Sequence, residues 1–190
     1  MRFMGRILVC ILLVALFAAG YVLGADAPDF RNVRWGMTME EVMAAETEAA
    51  LTVLADQPVL VGDCIVAGRK ARLFDQFASS HLREAFYAFE DAHTNRNLYI
   101  DDFEDLRELL ALKYGEPLID TAIWKRNLYR NDPDEWGRAV VIGDVTFRAE
   151  WETPRTRIIL SLGGDNYEAR HFLGYVSKVT PSAGPDLRGL

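Results

Sequence analysis

A chain of 190 residues, 50% hydrophobic and 26% charged, holds enough apolar material for one compact domain or two small lobes and is not composed like a disordered protein. Its formal charge of -7 argues against a nucleic-acid backbone or an anionic membrane surface as the main partner.

The N-terminus reads as an address. Arg2 and Arg6 precede an apolar run over 7–19, and small residues follow at Ala18, Ala19, Gly20, Gly24 and Ala25, the pattern of an export signal. Cleavage after Gly24 places Val22 three positions before the cut; cleavage after Gly20 is the second option. A retained anchor over 7–23 is the alternative, slightly shorter than the roughly 20 residues a bilayer needs. Either way the positive-inside rule leaves the remaining chain outside the cytoplasm, periplasmic or secreted. Cys10 follows Val9 rather than a small residue, so it is a poor lipid acceptor. Cys64 is then the only thiol of the mature chain, which allows no intramolecular disulfide. Between strand-like neighbours, it reads as a small buried hydrophobe.

A capped helix opens the mature chain. Thr38 fits the N-cap and Glu41 the N3 position of a capping box, with Met37 and Val42 as the hydrophobic staple, so the helix starts at about Met39. Trp35 is expected to pack just before it, and Gly36 permits the turn. Short strand-like runs follow at 51–54, 59–67, 71–77 and 82–89, separated by turn residues. In the last run Ala85, Tyr87 and Phe89 share one face, while Glu84, Phe86 and Ala88 share the other. The polar stretch 90–97 divides the chain.

The order then recurs. Asp101 is a candidate N-cap with Glu104 three residues later, and Phe103, Leu106, Leu109, Leu110 and Tyr114 fall at helical spacing. Gly115 suits the position after the helix, with Pro117 beyond it. Strands are expected at 118–126, 138–142, 145–153, 156–162 and 167–179. The resulting expectation is an α+β protein made of two helix-then-antiparallel-meander units, 25–97 and 98–180, as a tandem pseudo-repeat sharing one core. A signal peptide (1–24) precedes them and a disordered tail (181–190) follows.

Four blocks carry a resemblance: "FRNVRWGMTMEEV", "NLYIDDFEDLRELLALKYGEP", "WKRNLYRNDPDEWG" and "AEWETPRTRIILSLGGDNY". Together, with FRxxxWG and LxxKYGEP as their centres, they resemble an uncharacterised family of small exported bacterial proteins. More distantly, the helix-then-meander unit is similar to the SmpA/OmlA (BamE) assembly lipoproteins and to the tandem-repeat β-lactamase-inhibitor proteins. Those likenesses imply a binding role rather than a reaction, and they supply no catalytic residues.

The chemistry-bearing residues form no recognised catalytic motif. His81 falls at a turn, His93 in the polar stretch and His171 in the last strand beside apolar alternation, where a packed histidine is expected. Asp101, Asp102, Glu104 and Asp105 would offer paired carboxylates for acid-base work, but capping and a solvated face explain them. The loop residues Asn131, Asp132, Asp134 and Glu135 lack the spacing of a calcium loop, and Gly163-Gly164 has no following helix to cradle a phosphate. No metal or cofactor site is therefore expected. Two readings stand: an exported, non-catalytic protein-binding or envelope-assembly module, and a periplasmic hydrolase using His171 or the acidic residues. For the first, the partner is an envelope or secreted protein, and Phe86, Tyr87, Tyr167 and Tyr175 are the candidate contacts, provided they are exposed.

Overall fold

The computed structural model describes residues 27–179; the expected signal segment and the whole of the expected tail lie outside them. Helix α1 (Met39–Ala45) begins as its sequence dictates. The Thr38 N–H donates to Glu41 Oε2 at 2.8 Å, and the Glu41 N–H donates to Thr38 Oγ1 at 3.3 Å, satisfying two donors that a helix start leaves open.

Four strands follow, β1 (Thr52–Val53), β2 (Val59–Val66), β3 (Arg69–Ala78) and β4 (His81–Phe89). After helix α2 (Leu98–Tyr114) come β5 (Ile119–Trp124), a 3-10 turn (Pro133–Glu135), helix α3 (Trp136–Val141), β6 (Val145–Glu152), β7 (Thr156–Asp165) and β8 (Glu168–Ser177). All eight strands form one antiparallel sheet in the order β1-β2-β3-β4-β8-β7-β6-β5. The protein is thus α+β. Among the described residues no helix is long and apolar enough to cross a membrane.

Three hairpins close with two-residue turns at Ala67-Gly68, Ser79-Ser80 and Asn166-Tyr167, and all six residues have positive φ. Such turns match the twist of the flanking strands but favour Asn and Gly. Only two of the six residues are of those favoured types. The double variant Ser79→Asn/Ser80→Gly is therefore expected to be about 1 kcal/mol more stable than wild type in urea titrations. An unchanged midpoint would show that the serines cost nothing there.

Two sequence expectations are corrected. Helix α2 begins at Leu98, not after Asp101; its N-cap is Asn97, in helical conformation and without a side-chain bond to its own helix. That side chain is engaged elsewhere: its Nδ2 donates to the Pro133 and Asp134 carbonyls, and its Oδ1 accepts the Gly137 N–H at 2.7 Å. The second correction is the run 138–142. It is not a strand but most of α3, in which Gly137, Ala139, Val140 and Val141 are all buried. Phe103, Leu106 and Leu110 form the buried stripe of α2. Leu109 is 49% exposed, because one residue along a helix turns about 100° off the stripe.

The helices cover one face of the sheet. Phe103 of α2 and Trp136 of α3 both meet Phe147 of β6, and Leu73, Tyr87, Ile158, Leu160 and Leu173 continue that core across the strands. Two tryptophans tie the layers together. Trp35 Nε1 donates to Thr156 Oγ1 at 2.8 Å, and Trp151 Nε1 donates to the Gly115 carbonyl at 2.8 Å. Trp35 is 6% exposed, so it packs as its sequence position suggests.

Candidate functional site

The face of the sheet away from the helices presents an aromatic row. Pairing register aligns Val61, Phe74, Phe86, Gly174 and Ile159 directly across β2, β3, β4, β8 and β7. Phe74 and Phe86 stack with ring centroids 4.7 Å apart, and Phe172 meets Phe86 edge-on at 6.2 Å. Strand alternation puts these side chains opposite the helix-covered ones. All are partly exposed, Phe172 by 38%. At Gly174 even an added Cβ would stand 3.9 Å from its nearest neighbours, which leaves a shallow dip between Phe86 and Ile159.

Charged pairs border the row. Glu150, next in register beyond Ile159, accepts from Arg148 at 2.5 Å and from Arg157 at 2.5 Å. Burial alone would raise its pKa, but these two guanidinium groups outweigh that and hold it below the usual carboxylate range. Near Phe74, Arg72 pairs with Asp63 at 3.1 Å and Glu90 at 3.4 Å. An apolar centre with a rim of opposite charges is the usual anatomy of a protein interface.

The four contact candidates divide between the faces. Phe86 lies in the open row, and Tyr167 stands 67% exposed at the β7–β8 turn with φ 67°. Tyr87 and Tyr175 point the other way and are only 5% and 7% exposed. They do not meet the condition of exposure, because each occupies an inward position of its strand. Phe74 and Phe172 belong to the surface and were not singled out from the sequence. Their signal was the same alternation that assigned Phe86 to the second face of β4.

Most residues of the hydrolase reading are engaged structurally, and Asp101 lies exposed on α2. His171 is 5% exposed, packed 4.8 Å from the Phe89 ring and 6.1 Å from the Phe103 ring. Burial pushes its pKa down to about 4, so it is neutral near pH 7, and its Nε2 has no partner among the described residues. Asp102 accepts from His93 Nε2 at 2.5 Å and Arg69 Nε at 2.8 Å, while Asp105 accepts from Arg69 at 2.8 Å. Burial raises and these two partners lower the Asp102 pKa, with a net fall. The acidic cluster thereby pins α2 to the β2–β3 hairpin. Among the described residues no group of three or more His, Cys, Asp or Glu side chains is placed to hold a metal ion.

Under the helices lies a second feature, a polar cluster in the core. Glu46, at the end of α1, has its side chain fully buried; it accepts from Arg31 Nε at 2.7 Å and from the Asn32 N–H at 3.2 Å. Burial would lower the Arg31 pKa, but its interactions with Tyr87 and Glu46 outweigh that and raise it. Asp75 is fully buried nearby, and neither of its oxygens has a partner among the described residues. Burial, reinforced by the Glu46 carboxylate and opposed by Arg31, pushes its pKa up to about 7. Cys64 is half-buried, with its Sγ 3.5 Å from the Ala71 carbonyl, and burial raises its pKa. A thiol so placed is a weak nucleophile.

Beside that cluster opens a cavity of about 610 Å³, lined in part by Phe30, Arg31, Tyr87, Lys113, Tyr114 and Tyr175. Arg155 also lines it and grips Asp29 through two bonds, at 2.6 and 2.9 Å. Comparison of the chain with protein-family models, with curated proteins and with solved structures gives no match.

Proposed function

We propose that the mature chain is an exported, non-catalytic protein-binding or envelope-assembly module, and that it engages an envelope or secreted protein through the open face of its sheet. The observation that carries this reading is the aromatic row of Phe74, Phe86 and Phe172 on a face that no helix covers among the described residues. Rigid aromatic side chains on a sheet bury large area at small entropic cost, and the Arg72 and Glu150 pairs at the rim set orientation. The hydrolase reading draws little support from a histidine packed between two phenylalanines, from Asp102, Glu104 and Asp105 already paired with arginines, and from Asp101 on the exposed side of α2.

The same reading takes the two helix-then-meander halves as a tandem duplication. What supports it is the mirrored strand order, in which β4 and β8, the last strand of each half, pair at the centre. Helix α3 has no counterpart in the first half.

Phe86→Ser and Phe172→Ser test the function. Both positions face outward, so the variants should keep the wild-type circular dichroism spectrum. Immobilised wild-type protein should recover an envelope or secreted protein that the variants bind about thirtyfold more weakly, the effect of losing an interface hot spot of about 2 kcal/mol. Equal recovery by wild type and both variants would discard the open face as the site. Turnover in a hydrolase screen that His171→Ala abolishes would discard the non-catalytic reading altogether.

A further inference from the structure

The geometry points to a second binding site, on the helix side of the sheet, for a small organic acid with an apolar body, held in the cavity between Arg31, Lys113 and Arg155. This goes beyond the protein-binding reading and uses none of the open-face residues. The volume of about 610 Å³ falls within the range of small-molecule pockets, which are mainly apolar with a few convergent polar groups. Phe30, Tyr87 and Tyr175 supply the apolar wall as a contiguous set of rings, with Phe30 at 5.4 Å from Tyr87 and 4.7 Å from Tyr175.

Charge selects the sign of the ligand. Among the described residues three cations and one carboxylate, Asp29, line the cavity, although the whole chain carries -7. Arg155 neutralises Asp29 directly. Among the described residues Arg31 has only Glu46 as its carboxylate partner, and Nε makes that contact; the guanidinium carries further donors on its other nitrogens. Lys113 Nζ lies 5.0 Å from the Tyr114 ring centroid and has no carboxylate partner among the described residues. A cation over an aromatic ring at a cavity edge remains available to an anion at modest desolvation cost. Tyrosine hydroxyls add donors: Tyr87 has its pKa pushed up to about 12 by burial, so it stays protonated.

The site draws on distant segments: Phe30 and Arg31 near the start of the described chain and Lys113 and Tyr114 at the end of α2 meet in this cavity. Backbone and indole contacts nearby hold both segments in place. The Gly36 N–H donates to the Leu82 carbonyl at 3.0 Å, and the Gly115 carbonyl receives the Trp151 indole.

The test uses a fluorescent probe of the stated class, 8-anilinonaphthalene-1-sulfonate, with its uncharged relative N-phenyl-1-naphthylamine. Wild-type protein should bind the anion with one saturable site. Lys113→Glu, at an exposed position that carries no part of the core, should weaken the anion at least about fivefold, as expected for reversing one nearby charge. It should change the neutral probe by less than about twofold. Lys70→Glu alters net charge equally but lies outside the cavity lining and should leave both probes bound as in wild type. Arg155→Gln should weaken the anion in the same direction as Lys113→Glu. The inference is overturned if the anion does not bind wild type saturably, if Lys113→Glu and Lys70→Glu behave alike, or if both probes respond equally to Lys113→Glu.

Discussion

Asp75→Asn should raise the stability of the protein by about 3 kcal/mol more at pH 8 than at pH 5, measured as the difference between variant and wild type in urea titrations. Asp75 sits in β3 with Leu60 opposite it on one side and Ala85 on the other, fully buried and without a partner for either oxygen among the described residues. Its pKa is about 7 in the folded protein against 3.8 for the unperturbed group. The folded state therefore binds the proton more tightly. Its contribution is fully present below the unfolded value and is lost as pH rises through 7, at up to about 1.4 kcal/mol per pH unit. Asn copies the shape of the protonated acid and does not titrate. The difference between the two proteins therefore grows with pH and levels off above about 7.

Wild type alone would hide this effect. His171 has its folded pKa lowered to about 4, so its neutral form favours folding and its contribution is lost as pH falls from about 6.5 towards 4. Asp75 and His171 thus slope in opposite directions over the same interval. A variant-minus-wild-type difference that stays flat from pH 5 to pH 8 would show that Asp75 is ionised in the folded core at all these values.

Gly137→Ala should destabilise the protein by about 3 kcal/mol or more, although Ala in a helix interior is ordinarily about 1 kcal/mol better than Gly. Gly137 lies in the first turn of α3, and a Cβ there would stand 2.3 Å from the Arg96 carbonyl carbon, 2.4 Å from its oxygen and 2.5 Å from the Asn97 nitrogen. Those are backbone atoms at the start of α2 and have no rotamer by which to withdraw. Relief requires moving α3 away, which strains packing by about 1 to 3 kcal/mol and sacrifices the bond from the Gly137 N–H to Asn97 Oδ1. Urea titration of the variant decides the point. A stability equal to or above wild type would mean that the two helices separate freely and that α3 is not locked.

Legibility from sequence followed how local the cause was. The capping box of α1, the Ser79-Ser80 turn and the alternation of β6 and β7 are written within a few residues, and each of these stands where its own residues place it. Asp75 was legible too, in principle: it falls in the alternating set Ala71, Leu73 and Phe77, which points a carboxyl into the core, but an acid on an apolar face is easily passed over. Helix α3 shows the opposite case. Val140, Val141 and Ile142 are β-branched and favour a strand locally, and only the seat between α2 and β7 turns that run into a helix. Its Gly137 passes within touching distance of the α2 backbone, a fact absent from any window of sequence.

For the candidate sites the division is sharper. By itself the sequence determined that β4 has two aromatic-bearing faces, that Trp35 and Gly36 precede a capped helix, and that the chain alternates helix and meander. Which face would be covered was a tertiary decision. All eight strands join in one sheet, and α2 and α3 pack against the same side, so Tyr87 and Tyr175 sink into a cavity wall while Phe74, Phe86 and Phe172 are left in the open. The physical reason is that period-2 alternation specifies only which residues share a face, whereas burial depends on where distant helices find the larger apolar area to cover. The gathering of Arg31, Lys113 and Arg155 around one cavity has the same origin, since their side chains come from three separated segments that meet only when the sheet is complete.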